Sequence, residues 1–307
     1  VTPDEFRRFC HRTVPLARLD KRVFTTSETL EADIEVSHFG EAPLDDATAR
    51  WRLVDDGGGE VAGGRLPAKT LPVDNGTPLG QVRIPLADLS APARYRLVVD
   101  LEETPFENDW DVWVYPHELE VDTPSGVTLT EALGEATVTV LRAGGRVLLQ
   151  VPPERVKGDE DRPVALGFSS IFWNTAWTSG QAPHTLGILC DPEHPALEAF
   201  PTDFHSNWQW WYLVTRAAAL VLDDLPPALR PTVQVIDDWF TNRRLGLVFE
   251  AKVGKGRLLV TSIDLTTGLE ENVVARQLRR SLLDYMATDR FAPAVELTPA
   301  QVGSLVR

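Results

Sequence analysis

The sequence is poor in cysteine, methionine and lysine, and it has no excess of positive charge. Its 307 residues include 2 cysteines, 1 methionine and 30 basic against 45 acidic residues, for a formal net charge of −15. Nucleic acids and anionic membrane surfaces are bound through basic patches, so this balance argues against both as partners. No apolar run has the length of a membrane span, since the most apolar stretch, residues 217–222, lies between Arg216 and Asp223.

The two cysteines, Cys10 and Cys190, are too few for a disulfide framework or a cysteine-ligated zinc site. The sequence leaves one long-range disulfide open and favours two unpaired thiols. The chain begins at Val1, lacks a signal-peptide pattern and has Met286 as its one methionine, so we expect a fragment of a longer protein. The composition is typical of a soluble globular protein, cytoplasmic or secreted, and the length predicts two domains.

Short runs that alternate apolar and polar residues fill positions 22–115. They are RVFTT, LEADIEVSHF, ATARWRLVD, EVAGGRL, GQVRIPL, RYRLVVDL and DWDVWVYP. Seven such strands within about a hundred residues predict an immunoglobulin-like β-sandwich over residues 1–118, with an irregular N-terminal segment over residues 1–20. The glycine run at residues 57–59 is interpreted as a hairpin turn, because it lacks the Lys-Ser/Thr pair of a phosphate-binding loop.

Residues 119–307 alternate helix and strand patterns, which predicts an α/β domain with a mostly parallel sheet. A helix from near Thr130 to a stop at Gly144 precedes RVLLQVP, a solid apolar strand of the kind found in parallel sheets. Thr266 or Thr267 is predicted to cap the last helix. Further strands are predicted at VALGFSSIF, TLGILC, TVQVIDD, LGLVFEA and RLLVTSID, and further helices at residues 195–200, 208–222 and 270–288.

Tryptophan has an unusual local density. The stretch AFPTDFHSNWQWWYL, residues 199–213, holds three of the nine tryptophans, and two more lie upstream in IFWNTAW. Such rings either stack on the apolar faces of sugars beside hydroxyl-binding polar groups, or fill a core or an interface, which is the preferred interpretation. The candidate carbohydrate or interface residues are Trp173, Trp177, Asp203, His205, Asn207, Trp208, Trp210, Trp211, Asp238, Asn242 and Arg243.

The spacing within this stretch carries a prediction of its own. At the start of a helix, Trp208 and Trp211 share a face and Trp210 points elsewhere, so that one face can be buried against the sheet while the other ring, Trp210, remains partly exposed. Asp237 and Asp238 end a strand of the predicted parallel sheet, at the edge where such sheets place ligand residues. A salt-bridged loop is the preferred alternative for them.

The sequence contains only weak signals for nucleophilic catalysis and for metal binding. Cys190 is flanked by Leu189 and Asp191, and a neighbouring carboxylate raises a thiol pKa, so we expect a buried structural cysteine. The pair at residues 169–170 is not a G-x-S-x-G elbow. The histidines at positions 184, 194 and 205 lack helical ligand spacing and suit loops or caps. We expect no catalytic residue, no cofactor and no metal.

Long motifs in the second half resemble the C-terminal region of large bacterial glycoside hydrolase family 2 enzymes of the β-galactosidase-like type. They are FWNTAWTSGQAPHTLGILCDPEHPALEAFPTDFHSNWQWWYL and DDWFTNRRLGLVFEAKVGKGRLLVTSIDL. The run from FCHRTVPLARLDKRVFTTSETLEADIEVSHFG to WDVWVYP resembles the immunoglobulin-like sandwich that precedes this region. The resemblance implies that residues 119–307 form a glutamine-amidotransferase-like (flavodoxin-like) domain without amidotransferase activity. A comparable domain serves oligomerisation in some other β-galactosidases.

Enzymes of that family cleave glycosidic bonds with two glutamates on a (β/α)₈ barrel. No eight-fold βα pattern fits within this chain, so neither glutamate is assigned here. The resemblance therefore implies a non-catalytic accessory fragment of a glycosidase, which supports the catalytic barrel or the assembly. Its expected partners are the catalytic domains of the parent chain, with carbohydrate and a second copy of the chain as alternatives.

Two other functions stay open from the sequence. One is a carbohydrate-binding module proper, which a solvent-facing, coplanar pair of tryptophans would favour. The other is an independent amidotransferase- or hydrolase-like enzyme, which a histidine within hydrogen-bond reach of Cys190 would favour.

Overall fold

The computed structural model of the chain describes residues 1–158, 164, 166–167, 185–238 and 241–307. The chain divides into two compact units, Val1–Glu118 and Leu119–Arg307. Each unit is described by itself. None of the helices in these described ranges is long and apolar enough to cross a membrane.

The first unit is a β-sandwich. A three-stranded sheet has the order β1-β3-β8 and a five-stranded sheet the order β2-β10-β9-β5-β6, with β4 and β7 as a separate pair. The inward residues of both large sheets form one apolar core, and along β3 the buried residues alternate with exposed ones. The ten strands are β1 Thr13–Arg18, β2 Val23–Thr25, β3 Thr29–His38, β4 Leu44–Ala47, β5 Ala49–Asp55, β6 Glu60–Arg65, β7 Lys69–Leu71, β8 Asp74–Pro85, β9 Ala93–Leu101 and β10 Glu107–Tyr115.

All seven strands predicted from the alternating pattern are present in this unit, as is the glycine hairpin turn between β5 and β6. In that turn Gly58 has φ +81° and its N–H donates to the carbonyl of Asp55. At the β8–β9 connection the hydroxyl of Tyr95 donates to the carbonyl of Ser90 at 2.7 Å. This bond ties the start of β9 to the loop before it.

The prediction of an irregular N-terminal segment is wrong. Helix α1, Pro3–Phe9, begins with a capping box in which Thr2 Oγ1 accepts from the Glu5 N–H at 3.3 Å and the Thr2 N–H donates to Glu5 Oε2 at 2.6 Å. Strand β1 then pairs with β3 in spite of Pro15, which an edge strand tolerates. The Thr-Pro-Asp-Glu sequence was the available signal for the helix.

The second unit is built on a mixed sheet. Its described strands have the order β11-β12-β17-β16-β15-β13, and β14 also pairs with β16. The elements are β11 Val127–Thr130, α2 Glu135–Arg142, β12 Arg146–Gln150, β13 Gly187–Cys190, α3 Trp211–Val214, β14 Leu220–Val221, β15 Val233–Ile236, β16 Leu245–Val253, β17 Gly256–Thr261, α4 Val273–Ala287 and α5 Pro299–Gly303, with 3₁₀ turns at Pro153–Arg155, Pro195–Leu197 and Trp208–Trp210.

The prediction of a mostly parallel sheet is wrong for these described strands. Only β11, β12 and β17 run parallel, whereas β17, β16, β15 and β13 are antiparallel to one another in turn. The turn at Gly254, with φ +61°, joins β16 directly to β17 as a hairpin, and a hairpin forces antiparallel pairing. A continuous apolar run such as β16 indicates that the strand is buried on both faces. It does not indicate the direction of the strand. The glutamine-amidotransferase-like fold is not confirmed.

Three predicted helix boundaries also differ from those in the structure. The first helix begins at Glu135, since Val127–Thr130 pairs as β11, and it ends before Gly144 at φ +95° as predicted. The helix predicted over residues 208–222 ends at Val214, because Leu220–Val221 pairs with β16. Asn272, and neither Thr266 nor Thr267, caps α4 by accepting from the Ala275 N–H at 3.1 Å.

Candidate functional site

Helix α4 holds both ends of the tryptophan stretch. At the start of the stretch, Gln277 Nε2 donates to the carbonyl of Ala199 at 2.6 Å, and Ser281 Oγ accepts from the Ala199 N–H at 3.2 Å. Near the end of the stretch, Asn272 Nδ2 donates to the carbonyl of Tyr212 at 3.0 Å. These side chains come from the buried and N-terminal parts of α4, so the stretch is fixed against the most regular helix of the unit.

Between these anchors the chain runs along the outer edge of β13. The Cys190 N–H donates to the carbonyl of Phe204 at 2.9 Å, and the Ile188 N–H donates to Ser206 Oγ at 3.2 Å. Gly187 has φ +136°, and a Cβ there would collide with Ser206 Oγ. Glycine at this position therefore allows the stretch to approach the sheet closely.

Trp210 belongs to the core. Its side chain is fully buried, its Nε1–H donates to Thr202 Oγ1 at 2.8 Å, and its ring packs edge-on against Phe200 with centroids 5.5 Å apart. Each polar and apolar part of the indole is thus satisfied inside the protein. The expectation that Trp210 is the partly exposed ring of this stretch is therefore wrong, because Thr202 and Phe200 hold its indole inside the core.

Trp208 and Trp211 lie on the opposite, solvent-facing side. Trp208 is 63% exposed and Trp211 48% exposed. Together with Ser206 and Asn207 they line a cavity of about 500 Å³. Their common face agrees with the three-residue spacing, and the cavity is within the range of about 300–1,000 Å³ that is usual for small-molecule sites.

Asp203 orients the polar wall of this cavity. Asn207 Nδ2 donates to Asp203 Oδ2 at 3.0 Å. A carboxylate only accepts, so this bond fixes which end of the amide faces Asp203. Asn207 Oδ1 is buried and has no hydrogen-bond partner among the described residues. His205 is exposed, with its ring centroid 4.7 Å from that of Phe204.

The loop over residues 237–243 closes on itself. Asp237 Oδ2 accepts from the backbone N–H and from Nε of Arg243, both at 2.8 Å, and Asp237 Oδ1 accepts from Arg243 Nη2 at 2.9 Å. Asp238 accepts from the N–H and the hydroxyl of Thr241, both at 3.0 Å, and Asn242 adopts φ +52° in the turn. The described residues on both sides of this loop are thus bonded to one another.

Electrostatics in this loop follow from that geometry. Burial alone would raise the pKa of Asp237, but the hydrogen bonds and the charge of Arg243 outweigh it and hold the pKa below its ordinary value. The argument from the carboxyl edge of a parallel sheet does not apply, because β15 is antiparallel to both of its neighbours. The geometry matches the alternative of a salt-bridged loop.

The tryptophan stretch and the 237–243 loop, both of which hold predicted candidate residues, flank the same end of β13. Gly187 pairs with Ile236, the last residue of β15, on one side, and it approaches Ser206 on the other. Two strand spacings of about 4.8 Å place the start of the 237–243 loop roughly 10 Å from Ser206. Asp203 lies at the other end of β13, and it contacts the cavity wall through Asn207.

Cys190 has the environment of a structural cysteine. It is unpaired and buried, and its Sγ donates to the carbonyl of Asp203 at 3.3 Å. Burial, together with the nearby charges of Asp191 and Asp203, raises the pKa of the thiol to about 12. No histidine is hydrogen-bonded to it among the residues that the structure describes. Cys10 is also unpaired.

Several predicted candidates lie outside the described residues: Trp173, Trp177, the serines at positions 169–170, the histidine at position 184 and most of VALGFSSIF. Within the described ranges no group of three or more histidine, cysteine or acidic side chains has an arrangement that holds a metal ion. His194 caps a 3₁₀ turn by accepting from the Ala196 N–H at 3.2 Å, and burial lowers its pKa.

Sequence reasoning missed two exposed aromatic residues of the stretch. Phe204 is 60% exposed and Tyr212 36% exposed. Together with Trp208 and Trp211 they are the four exposed aromatic side chains of this stretch, which we call the aromatic face. A signal was present, because five large rings within nine residues exceed what one side of a short helix can bury.

Two family models match the chain. One, described as Domain of unknown function (DUF8487), matches residues 128–307, and the other, Domain of unknown function (DUF8488), matches residues 28–116. No curated protein matches the chain.

Solved structures show remote likeness only. The CARDB domain of a Pyrococcus furiosus protein, solved with di-metal ions, is 12% identical with a TM-score of 0.27, over 34% of this chain and 93% of that one. Parabacteroides merdae β-glucuronidase is 12% identical with a TM-score of 0.26, over 45% of this chain and 21% of that one. A cycloisomaltooligosaccharide glucanotransferase from Paenibacillus sp. is 11% identical with a TM-score of 0.27, over 45% of this chain and 20% of that one.

Proposed function

The chain belongs to the family described as Domain of unknown function (DUF8487), and we propose that it is a non-catalytic accessory module of a glycoside hydrolase family 2-type glycosidase that binds carbohydrate in the Trp208/Trp211 cavity. One observation carries the carbohydrate part. Two tryptophans share a solvent-facing side and line a cavity of about 500 Å³ with a serine and an asparagine, whereas the third is buried.

The chemistry of this cavity suits a pyranose ring. Indole rings offer flat apolar surface to the C–H face of a sugar at small cost in side-chain entropy. Ser206 and Asn207 add a hydroxyl and an amide at the same wall, which are groups that bind sugar hydroxyls. The cavity volume leaves room for one or two rings.

The accessory role rests on the resemblance of both halves to the C-terminal region of family 2 enzymes. The strand order of the first unit and the Tyr95–Ser90 bond support an immunoglobulin-like sandwich, in which a tyrosine corner of this kind is common. The protonated, buried thiol of Cys190 argues against thiol catalysis in the second unit.

Calorimetric titration with methyl β-D-glucopyranoside, methyl β-D-galactopyranoside and lactose tests the carbohydrate function. We expect saturable binding by at least one of them, with a loss of at least about tenfold in affinity for Trp208→Ala. The matched control is Phe39→Ala, which removes another exposed aromatic ring, 61% exposed, from the other unit. Binding that survives Trp208→Ala, or that Phe39→Ala abolishes equally, would refute the assignment.

A protein interface is the second candidate, and the extent of the aromatic face favours it. Phe204 and Tyr212 are exposed in the same stretch as the two tryptophans, and large aromatic rings are enriched in protein interfaces. Sedimentation velocity of the wild type and Phe204→Ala distinguishes the candidates. Self-association that Phe204→Ala reverses, in a chain that binds no sugar, would favour the interface.

A further inference from the structure

The described wall of the Trp208/Trp211 cavity contains no ionised side chain. Ser206, Asn207 and the two indoles are all neutral. Behind this wall lies the carboxylate of Asp203, which accepts a hydrogen bond from Asn207 Nδ2 at 3.0 Å. A negative charge thus lies one hydrogen bond away from the cavity.

The neighbouring loop adds a second negative charge. Arg243 is shared between Asp237, at 2.8 Å, and Asp238, at 3.9 Å, so the three side chains together carry a net charge of −1. The chain as a whole carries −15. Arg244, the next cation along this loop, is held by the carbonyls of Leu222, Leu225 and Pro226 and turns away from it.

We infer that this cavity selects saccharides by charge, with amino sugars carrying a protonated amine bound most tightly, neutral pyranosides next and uronates least. The inference rests on the proposed carbohydrate function and adds the ligand class. The negative face of an indole attracts an ammonium group within about 6 Å, and tryptophan is the strongest of the aromatic side chains in this respect. The carboxylates act in the same direction, since they attract a cation and repel a carboxylate on the ligand.

Three ligands with the same ring shape and different charges test this inference: the methyl glycosides of glucosamine, glucose and glucuronic acid. At pH 7 and about 20 mM salt we expect each step down the series to weaken binding by about 3- to 10-fold. At about 500 mM salt the three affinities should converge, because the Debye length falls below the distance from the ligand to Asp203.

Asp203→Asn tests the assigned charge. Its amide oxygen keeps an acceptor for Asn207 Nδ2, so the local geometry is retained while the charge is lost. We expect the spread between the amino sugar and the uronate to shrink by at least about threefold. Asp289→Asn is the matched control, since it removes the same charge beside Arg146, at the start of β12 and the opposite end of the sheet. It should leave the spread unchanged.

The outcomes separate the two claims. Equal binding of the three glycosides at both salt concentrations, abolished by Trp208→Ala, overturns the charge selection and leaves the carbohydrate function standing. Equal shrinkage of the spread in Asp203→Asn and Asp289→Asn also overturns the local assignment. Absence of binding by all three glycosides overturns the carbohydrate function and the inference with it.

Discussion

The tryptophan stretch and the loop over residues 237–243 flank one end of β13, but their side chains differ in burial and in hydrogen bonding. In the loop, Asp237 and Asp238 are both buried and turned toward Arg243 and Thr241. In the stretch, two of three indoles are turned outward and one amide oxygen is left without a partner among the described residues.

Burial and hydrogen-bond partners distinguish structural residues from candidate ligand-binding residues better than residue type does. A polar group satisfied within the protein contributes to stability, and its presence needs no ligand to explain it. Large apolar surface held in water costs free energy, so a protein that keeps it in a fixed position gains something by it. On this criterion the loop is structural, and the Trp208/Trp211 pair is the part that we propose binds a ligand.

The largest effect is expected within the stretch itself. Trp210→Ala should lower the free energy of unfolding by about 3–5 kcal/mol, because it empties a fully buried site and leaves Thr202 without its donor. Trp208→Ala should change it by less than about 0.5 kcal/mol. Urea unfolding curves of both variants measure the contrast, and equal destabilisation would show that the exposed indole is also part of the core.

Asp237→Ala should be the next most destabilising change, by about 3 kcal/mol, since it leaves a mostly buried guanidinium without its main partner. Asp284→Ala, which removes an exposed ion pair with Arg280, is the control and should cost less than about 1 kcal/mol. Sugar affinity should persist in both variants. Loss of sugar binding in Asp237→Ala at a temperature where it remains folded would place the loop in the binding site.

Sequence periodicity accounted for the strands of the first unit, because strands such as β3 have one buried and one exposed face. It failed for the sheet of the second unit, where strands such as Leu245–Val253 are buried on both faces and the pattern holds no information on direction. The hairpin glycines around Gly254 did contain that information.

The candidate site was likewise predicted only in part from the sequence. A three-residue spacing correctly predicted that Trp208 and Trp211 share a face, since this follows from helical geometry alone. Which face is buried depends on contacts with Thr202, Phe200 and α4. Local sequence patterns do not reveal these contacts, one of which joins residues 78 positions apart. The roles of Asn207 and Gly187 depend on the same tertiary contacts.

A smaller effect is expected on the stability of the protein at low pH. Asp237 has a pKa below its ordinary value in the folded state, so its ionised form stabilises the protein above about pH 4, and this contribution is lost as the pH falls through the folded-state pKa. The difference in free energy of unfolding between wild type and Asp237→Asn should therefore narrow as the pH falls from about 6 to about 2. A difference that stays constant over this range would contradict the ionised Asp237–Arg243 pair.

The most direct test of the account is an NMR titration that observes the indole N–H resonances while methyl β-D-glucopyranoside, or the tightest ligand found by calorimetry, is added. Trp208→Phe, Trp210→Phe and Trp211→Phe assign the three resonances. The account predicts saturable shifts at Trp208 and Trp211 with one common dissociation constant, and no shift at Trp210, whose N–H is held by Thr202. Shifts at Trp210 equal to those at Trp208, or no saturable shift at either exposed indole, would contradict it.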